Sequence, residues 1–208
     1  MLPSAAAILP FLAASFALSI APGPDNIFVL TQSALHGCKA GLLIMLGLFT
    51  GLLVHICAVA LGVATLLHSS PFAFAALKIV GAGYLSYLSW QAFHAGPLSL
   101  DAEENIPPRP HTLYLRGILM NVTNPKVALF FLAFLPQFTR PSRGSMPAQI
   151  LLLGLLFMLA ALPVFSFAAW GADRIGVWLK KSPRAQTGLH RVAGIVFLLL
   201  ACHLLFSR

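Results

Sequence analysis

The chain has 208 residues and a net charge of +8; 59% of it is hydrophobic and only 9% charged, with a mean hydropathy of +0.88. A soluble domain keeps a quarter or more of its surface charged, so this composition excludes one and points to an integral membrane protein. A spanning helix takes about 20 mainly apolar residues. Six such runs use most of the chain: Ile8 to Ala34, Leu42 to Leu67, Phe72 to Phe93, Leu115 to Phe138, Ala148 to Ala172 and Val192 to Phe206. The expected fold is all-α, one transmembrane domain over residues 1–208 with no room for a separate soluble domain.

The first run begins blandly, MLPSAAAILPF, without the positive segment of a secretory signal, and reads as retained structure. It is interrupted by LSIAPGPDNIF, Leu18 to Phe28. Pro22 and Pro24 carry no N–H, so the carbonyls of Leu18 and Ile20 lose their helical partners, and Gly23 lets the backbone leave helical geometry. In hydrocarbon an unpaired carbonyl costs several kcal/mol, so such a break survives only where protein or a water-filled cavity takes over the bonding. The break is therefore expected to face inward. Asp25 and Asn26 then open a new half-helix, where a carboxylate suits the positive dipole end. Gln32, further along, is a second pathway candidate beside Asn26.

In the second span His55 follows Thr50 and Gly51, and both polar side chains are candidates to line a pathway; the histidine reads equally as a hydrogen-bonded interior residue. Tyr84, Tyr87 and Trp90 run along the third span at three-residue spacing, a packing stripe ending in an interfacial belt. The loop SLDAEENIPPRPHT, Ser99 to Thr112, is the only polar, proline-rich linker and holds Asp101, Glu103 and Glu104. It divides the chain into a first unit of about 1–95, a linker of about 96–114 and a second unit of about 115–208.

The fourth span repeats the device in MNVTNPKVALFF. Pro125 frees the carbonyl of Asn121 and disfavours helical geometry at Asn124, while Asn121, Thr123 and Asn124 bring polar groups to the break. Lys126 lies roughly 15 Å along a helix from Arg116, near the centre of a core about 30 Å thick. A cation there opposes the helix dipole and calls for a nearby anion.

Laying Pro24-Asp25 over Pro125-Lys126 gives an offset of 101; Gly47 over Gly154 gives 107, and Gly81 over Gly194 gives 113. The one-way drift is what longer loops in the second half produce. Three spans per half put the two copies in opposite orientations, so the expected architecture is a 3+3 inverted repeat with helices 1 and 4 broken, a transporter signature. Asp25 and Lys126 then fall at equivalent positions near the pseudo-two-fold axis and are expected to pair, since charges within spans face the bundle interior. Acid, base, freed carbonyls and two half-helix N-termini match a zwitterion, its ammonium on Asp25 and the carbonyls and its carboxylate on Lys126 and the amides.

Basic residues assign orientation. Lys39, Arg109, Arg116, Arg174, Lys180, Lys181, Arg184 and Arg191 fall on one side, against Lys78, Arg140, Arg143 and Arg208 on the other. The positive-inside rule makes the first side cytoplasmic and puts both termini outside. The basic excess is thus an orientation signal, and no nucleic-acid partner is expected. Cys38, Cys57 and Cys202 stand apart and read as packing residues. No GxSxG, HExxH or acid-rich run supports an enzyme, and no His-rich or acidic tract supports a metal exporter. These two classes, with export of some other small solute, are the alternatives; no cofactor or metal is expected.

Together the APGPDN break in the first span, the NPK break in the fourth, six spans and a length near two hundred residues resemble the LysE/RhtB family of amino-acid exporters over the whole chain. The resemblance implies a secondary exporter in a bacterial cytoplasmic membrane that moves amino acids or close derivatives outward on the proton motive force, and it implies homo-oligomers. Pro22, Gly23, Pro24 and Asp25 match the first motif, and Asn124, Pro125 and Lys126 the second. Small or hydrophobic neutral amino acids, homoserine, threonine or leucine among them, are the expected cargo, because the spans hold no second buried acid for a basic side chain.

Overall fold

The computed structural model describes residues 5–69, 71–96, 109–172 and 182–206. The loop acids Asp101, Glu103 and Glu104, the basic residues Arg174, Lys180 and Lys181, and Arg208 lie outside the described residues. Among the described residues eight α-helices follow one another: α1 Ala5–Ile20, α2 Pro24–His36, α3 Cys38–Ser69, α4 Pro71–Phe93, α5 Pro110–Val122, α6 Pro125–Leu129, α7 Met146–Trp170 and α8 Pro183–Phe206. No strand occurs among the described residues.

Proline writes most of the boundaries. Pro24, Pro110 and Pro125 each stand in the first turn of a helix, where the missing N–H leaves nothing unpaired. α1 and α2 meet at 54°, and α5 meets the segment Pro125–Phe138 at 49°. That segment is itself irregular: α6 passes into a π-helical turn, Phe130–Phe134, and then a 3-10 turn, Leu135–Phe138. Pro136 offers no N–H to the carbonyl of Leu132, so the ladder widens before it and tightens after it. Between α2 and α3 the chain turns on Gly37 with φ +82°, a left-handed value that L side chains resist.

Among the described residues three helices are long and apolar enough to cross a membrane, α3 over Cys38–Gly62, α7 and α8; the two bent pairs, each counted as one span, raise the number to five. This is a multi-pass membrane protein. The span still needed to make six, Phe72 to Phe93, third in chain order, falls on α4, which has 23 residues but does not meet the same test. Two expected boundaries move: the fourth span starts at Pro110 rather than Leu115, and the last helix starts at Pro183, nine residues before Val192.

α3 packs along α5 and α7, and α4 packs along α8. The broken segments bridge these groups, α1 touching α7 and α8 while α6 and the π turn touch both α3 and α4. Close approach of α3 and α5 rests on facing glycines: a Cβ on Gly47 would meet the Tyr114 carbonyl and the Gly117 backbone. Aromatic side chains fill the centre, with Phe130 and Phe131 against Phe157, and Phe11 edge-on to Phe138 at 5.2 Å. This packing holds both breaks inside the protein, as their unpaired backbone requires.

Candidate functional site

Asp25, Asn121, Asn124 and Lys126 are the polar side chains at the breaks, and each is at most 7% exposed. Asn124 is the hub. As N-cap of α6, its Oδ1 accepts from the Lys126 backbone N–H at 3.0 Å, and its Nδ2 donates to Asp25 Oδ1 at 3.0 Å across 99 residues of sequence. An N-cap asparagine normally satisfies one orphan amide. Here it also ties the two half-helices together through the carboxylate.

Lys126 does not follow the expected pairing. Its Nζ donates to the carbonyls of Leu18 at 3.3 Å and Ala21 at 3.1 Å, and the Phe197 ring lies 5.7 Å away. Asn124 joins the Asp25 carboxylate to the Lys126 backbone N–H, while the Lys126 ammonium itself goes to the two carbonyls. The physical reason is the break itself: Pro22 leaves Leu18 without its helical donor, and Ala21 stands where α1 ends, so two buried carbonyls compete with the carboxylate for the ammonium. Asn26 serves the same stretch, donating from Nδ2 to the Ser19 carbonyl at 2.6 Å.

The second break is served in parallel. Pro125 has no N–H for the carbonyl of Asn121, which accepts instead from the Asn124 N–H at 3.0 Å; His55 Nε2 lies 3.1 Å from the same oxygen, so the ring carries its proton there and donates. His55 also stacks on Phe131 with 6.3 Å between ring centres. The Asn121 side-chain Oδ1 is buried without a partner.

Three expected site residues are not brought to this cluster. Thr50 donates to the Leu46 carbonyl at 3.0 Å and meets the Tyr114 hydroxyl at 2.9 Å, which makes it part of the α3–α5 contact. Thr123 is exposed and turns back to the Leu119 carbonyl at 2.7 Å. Gln32 is buried on α2 with its Oε1 unpartnered, beyond the residues lining either cavity described next.

Two spaces adjoin the breaks. The smaller, about 20 Å³, is lined by Asp25, Asn26, Asn121 and Lys126 with apolar groups from α3 and α7. The larger, about 590 Å³, has Pro22, Gly23, Pro24, Asn124, Pro125 and Lys126 on one side, and Tyr84, Trp90 and His190 from α4 and α8 on the other. Its size lies within the range of small-molecule sites. Lys126 lines both spaces and stands between them.

With this geometry in place, comparison with known proteins is decisive. The family profile described as LysE type translocator matches residues 16–208. The chain belongs to the LysE-type translocator family. It is 35% identical over 199 residues, 95% of each chain, to the homoserine/homoserine lactone efflux protein of Salmonella typhimurium. It is 27% identical over 197 residues to the leucine efflux protein of Klebsiella pneumoniae, covering 94% of this chain and 93% of that one. An uncharacterized membrane protein of Bacillus subtilis, YrhP, is 30% identical over 198 residues, 91% of this chain and 93% of that one. No solved structure matches.

In this LysE-type translocator the sequence motifs mark one side of the large cavity and miss the other. Tyr84 and Trp90 were legible as a stripe, yet they line the cavity as well as packing: Trp90 stacks on Tyr87 at 6.4 Å. His190, buried with its Nε2 unpartnered, carried no motif. A histidine two residues ahead of the apolar run that starts at Val192 was the available signal.

Proposed function

We propose that this chain is a secondary active exporter of amino acids or close derivatives, driven by the proton motive force across a bacterial cytoplasmic membrane. In this reading α4 is the sixth span, the halves form a 3+3 inverted repeat, and both termini lie outside. The observation that carries the reading is the buried Asp25–Asn124–Lys126 link at the junction of two broken helices, with the large cavity against it.

Asp25 is the group suited to proton exchange, being a buried carboxylate that accepts from the Asn124 amide and borders the small space beside Asn26 and Asn121. The large cavity, walled by Tyr84, Leu88, Trp90 and Phe197, suits an apolar side chain. Homoserine, its lactone and leucine, the compounds in the relatives' names, share an ammonium beside a carbonyl carbon; for this chain we take α-amino compounds with small or hydrophobic side chains as cargo.

The test is release from cells preloaded with each amino acid, with and without the protein. Faster release of neutral amino acids is expected, together with tolerance of a toxic amino-acid analogue. Altered metal tolerance without amino-acid release, or release of lysine or arginine alone, would overturn the reading.

A further inference from the structure

We propose that the Leu18 and Ala21 carbonyls are the seat of the substrate's ammonium, and that Lys126 is a tethered surrogate which the substrate displaces toward Asp25. The inference rests on the exporter reading above. It starts from the site's state: both carbonyls are occupied by the protein's own ammonium, a group of the same chemistry as the one an amino acid would bring.

Three features make that occupancy replaceable. The contacts, 3.1 and 3.3 Å, sit at and just past the upper end of the range of about 2.7–3.2 Å for N–H to O bonds. The ammonium is also reachable, because Lys126 lines the large cavity and the residue between it and that space is Gly23, where an added Cβ would stand 3.1 Å from Nζ. Finally, it has somewhere to go. Asn124 binds the Lys126 backbone and the Asp25 carboxylate with one amide, so the lysine stem starts beside the acid, and a flexible four-carbon chain has other rotamers to turn to.

The exchange keeps Lys126 within the site, so the incoming ammonium is the one charge added. A substrate ammonium on the two carbonyls replaces Nζ, and Lys126 then forms an ion pair with Asp25. Recognition would thus require an amine and tolerate the absence of a carboxylate, whereas a hydroxy acid would not displace the lysine. Binding would also place a cation against Asp25, linking cargo to the proton-exchanging group.

The experiment uses the purified full-length protein in detergent, with n-propylammonium as the probe for the atoms that Lys126→Ala removes. Millimolar propylammonium should raise the thermal midpoint of Lys126→Ala but not of the wild type, and it should compete there with the amino acid that wild-type cells release fastest. Lys126→Arg, whose guanidinium can span both carbonyls, should be at least as stable as the wild type yet export with a KM about tenfold higher; this arm decides the matter if Lys126→Ala does not fold. Independent binding of propylammonium and amino acid to Lys126→Ala would overturn the proposal, and so would a wild-type KM in Lys126→Arg. A wild type that releases no amino acid would instead overturn the exporter reading on which the proposal stands.

Discussion

Asn124 joins the two broken helices, and its removal has a calculable effect. Asn124→Ala deletes the N-cap of α6, worth about 1 kcal/mol. It also deletes a hydrogen bond to a buried carboxylate, worth about 1.5–3 kcal/mol. The expected loss is therefore about 2.5–4 kcal/mol, read as reversible unfolding in mixed micelles. Asn124→Ser separates the parts, since a hydroxyl still caps the helix but is too short to reach Asp25, and it should recover only about 1 kcal/mol. On an Asp25→Ala background the alanine at 124 should cost just the cap, so the double-mutant cycle gives a coupling of about 1.5–3 kcal/mol. Equal losses from Asn124→Ala with and without Asp25 would refute the link between the broken helices.

Other outcomes follow from the same contacts. His55→Phe keeps the stack on Phe131 and leaves the Asn121 carbonyl with the Asn124 N–H alone, so it should lower stability by about 0.5–1.5 kcal/mol while the profile of released amino acids stays the same; a changed profile would make His55 a substrate contact. The charge swap Asp25→Lys with Lys126→Asp turns a carboxylate toward the Leu18 and Ala21 carbonyls, so it should restore neither stability nor efflux, and normal efflux by the swapped protein would reduce these charges to a staple. A reporter active only outside the cytoplasm, fused after Arg208, should be active; an inactive fusion at full expression would reverse the orientation.

What could be read from the sequence was whatever depends on chain-local rules. A proline at one position and a carbonyl four residues earlier are enough to name Leu18 and Asn121 as carbonyls without helical partners. Who answers them is a tertiary question: Lys126 lies 108 residues from Leu18, and His55 lies 66 residues from Asn121. The threonines show a local rule passed over, because a helical threonine readily bonds back to the carbonyl four residues earlier, as Thr50 and Thr123 do. The large cavity was illegible for another reason. One wall is marked by proline motifs, but the other is made by residues of α4 and α8 that look like ordinary packing until those helices are set opposite the breaks.

The expected Asp25–Lys126 pair followed from treating the site as two charges in hydrocarbon, where attraction wins by default. That argument left out the backbone. A helix broken at Pro22 supplies carbonyl oxygens that attract an ammonium as a carboxylate does, and they lie closer to Lys126 Nζ than the dipole and charge bookkeeping allowed. The second break presents its freed carbonyl to His55 instead, and the acid at the first break is met by an amide. Neither charge is therefore locked to the other, which is the condition a carrier needs: a salt bridge closed at rest would have to be pulled apart by each arriving substrate, whereas an ammonium resting on two carbonyl contacts has its counter-ion still in reserve.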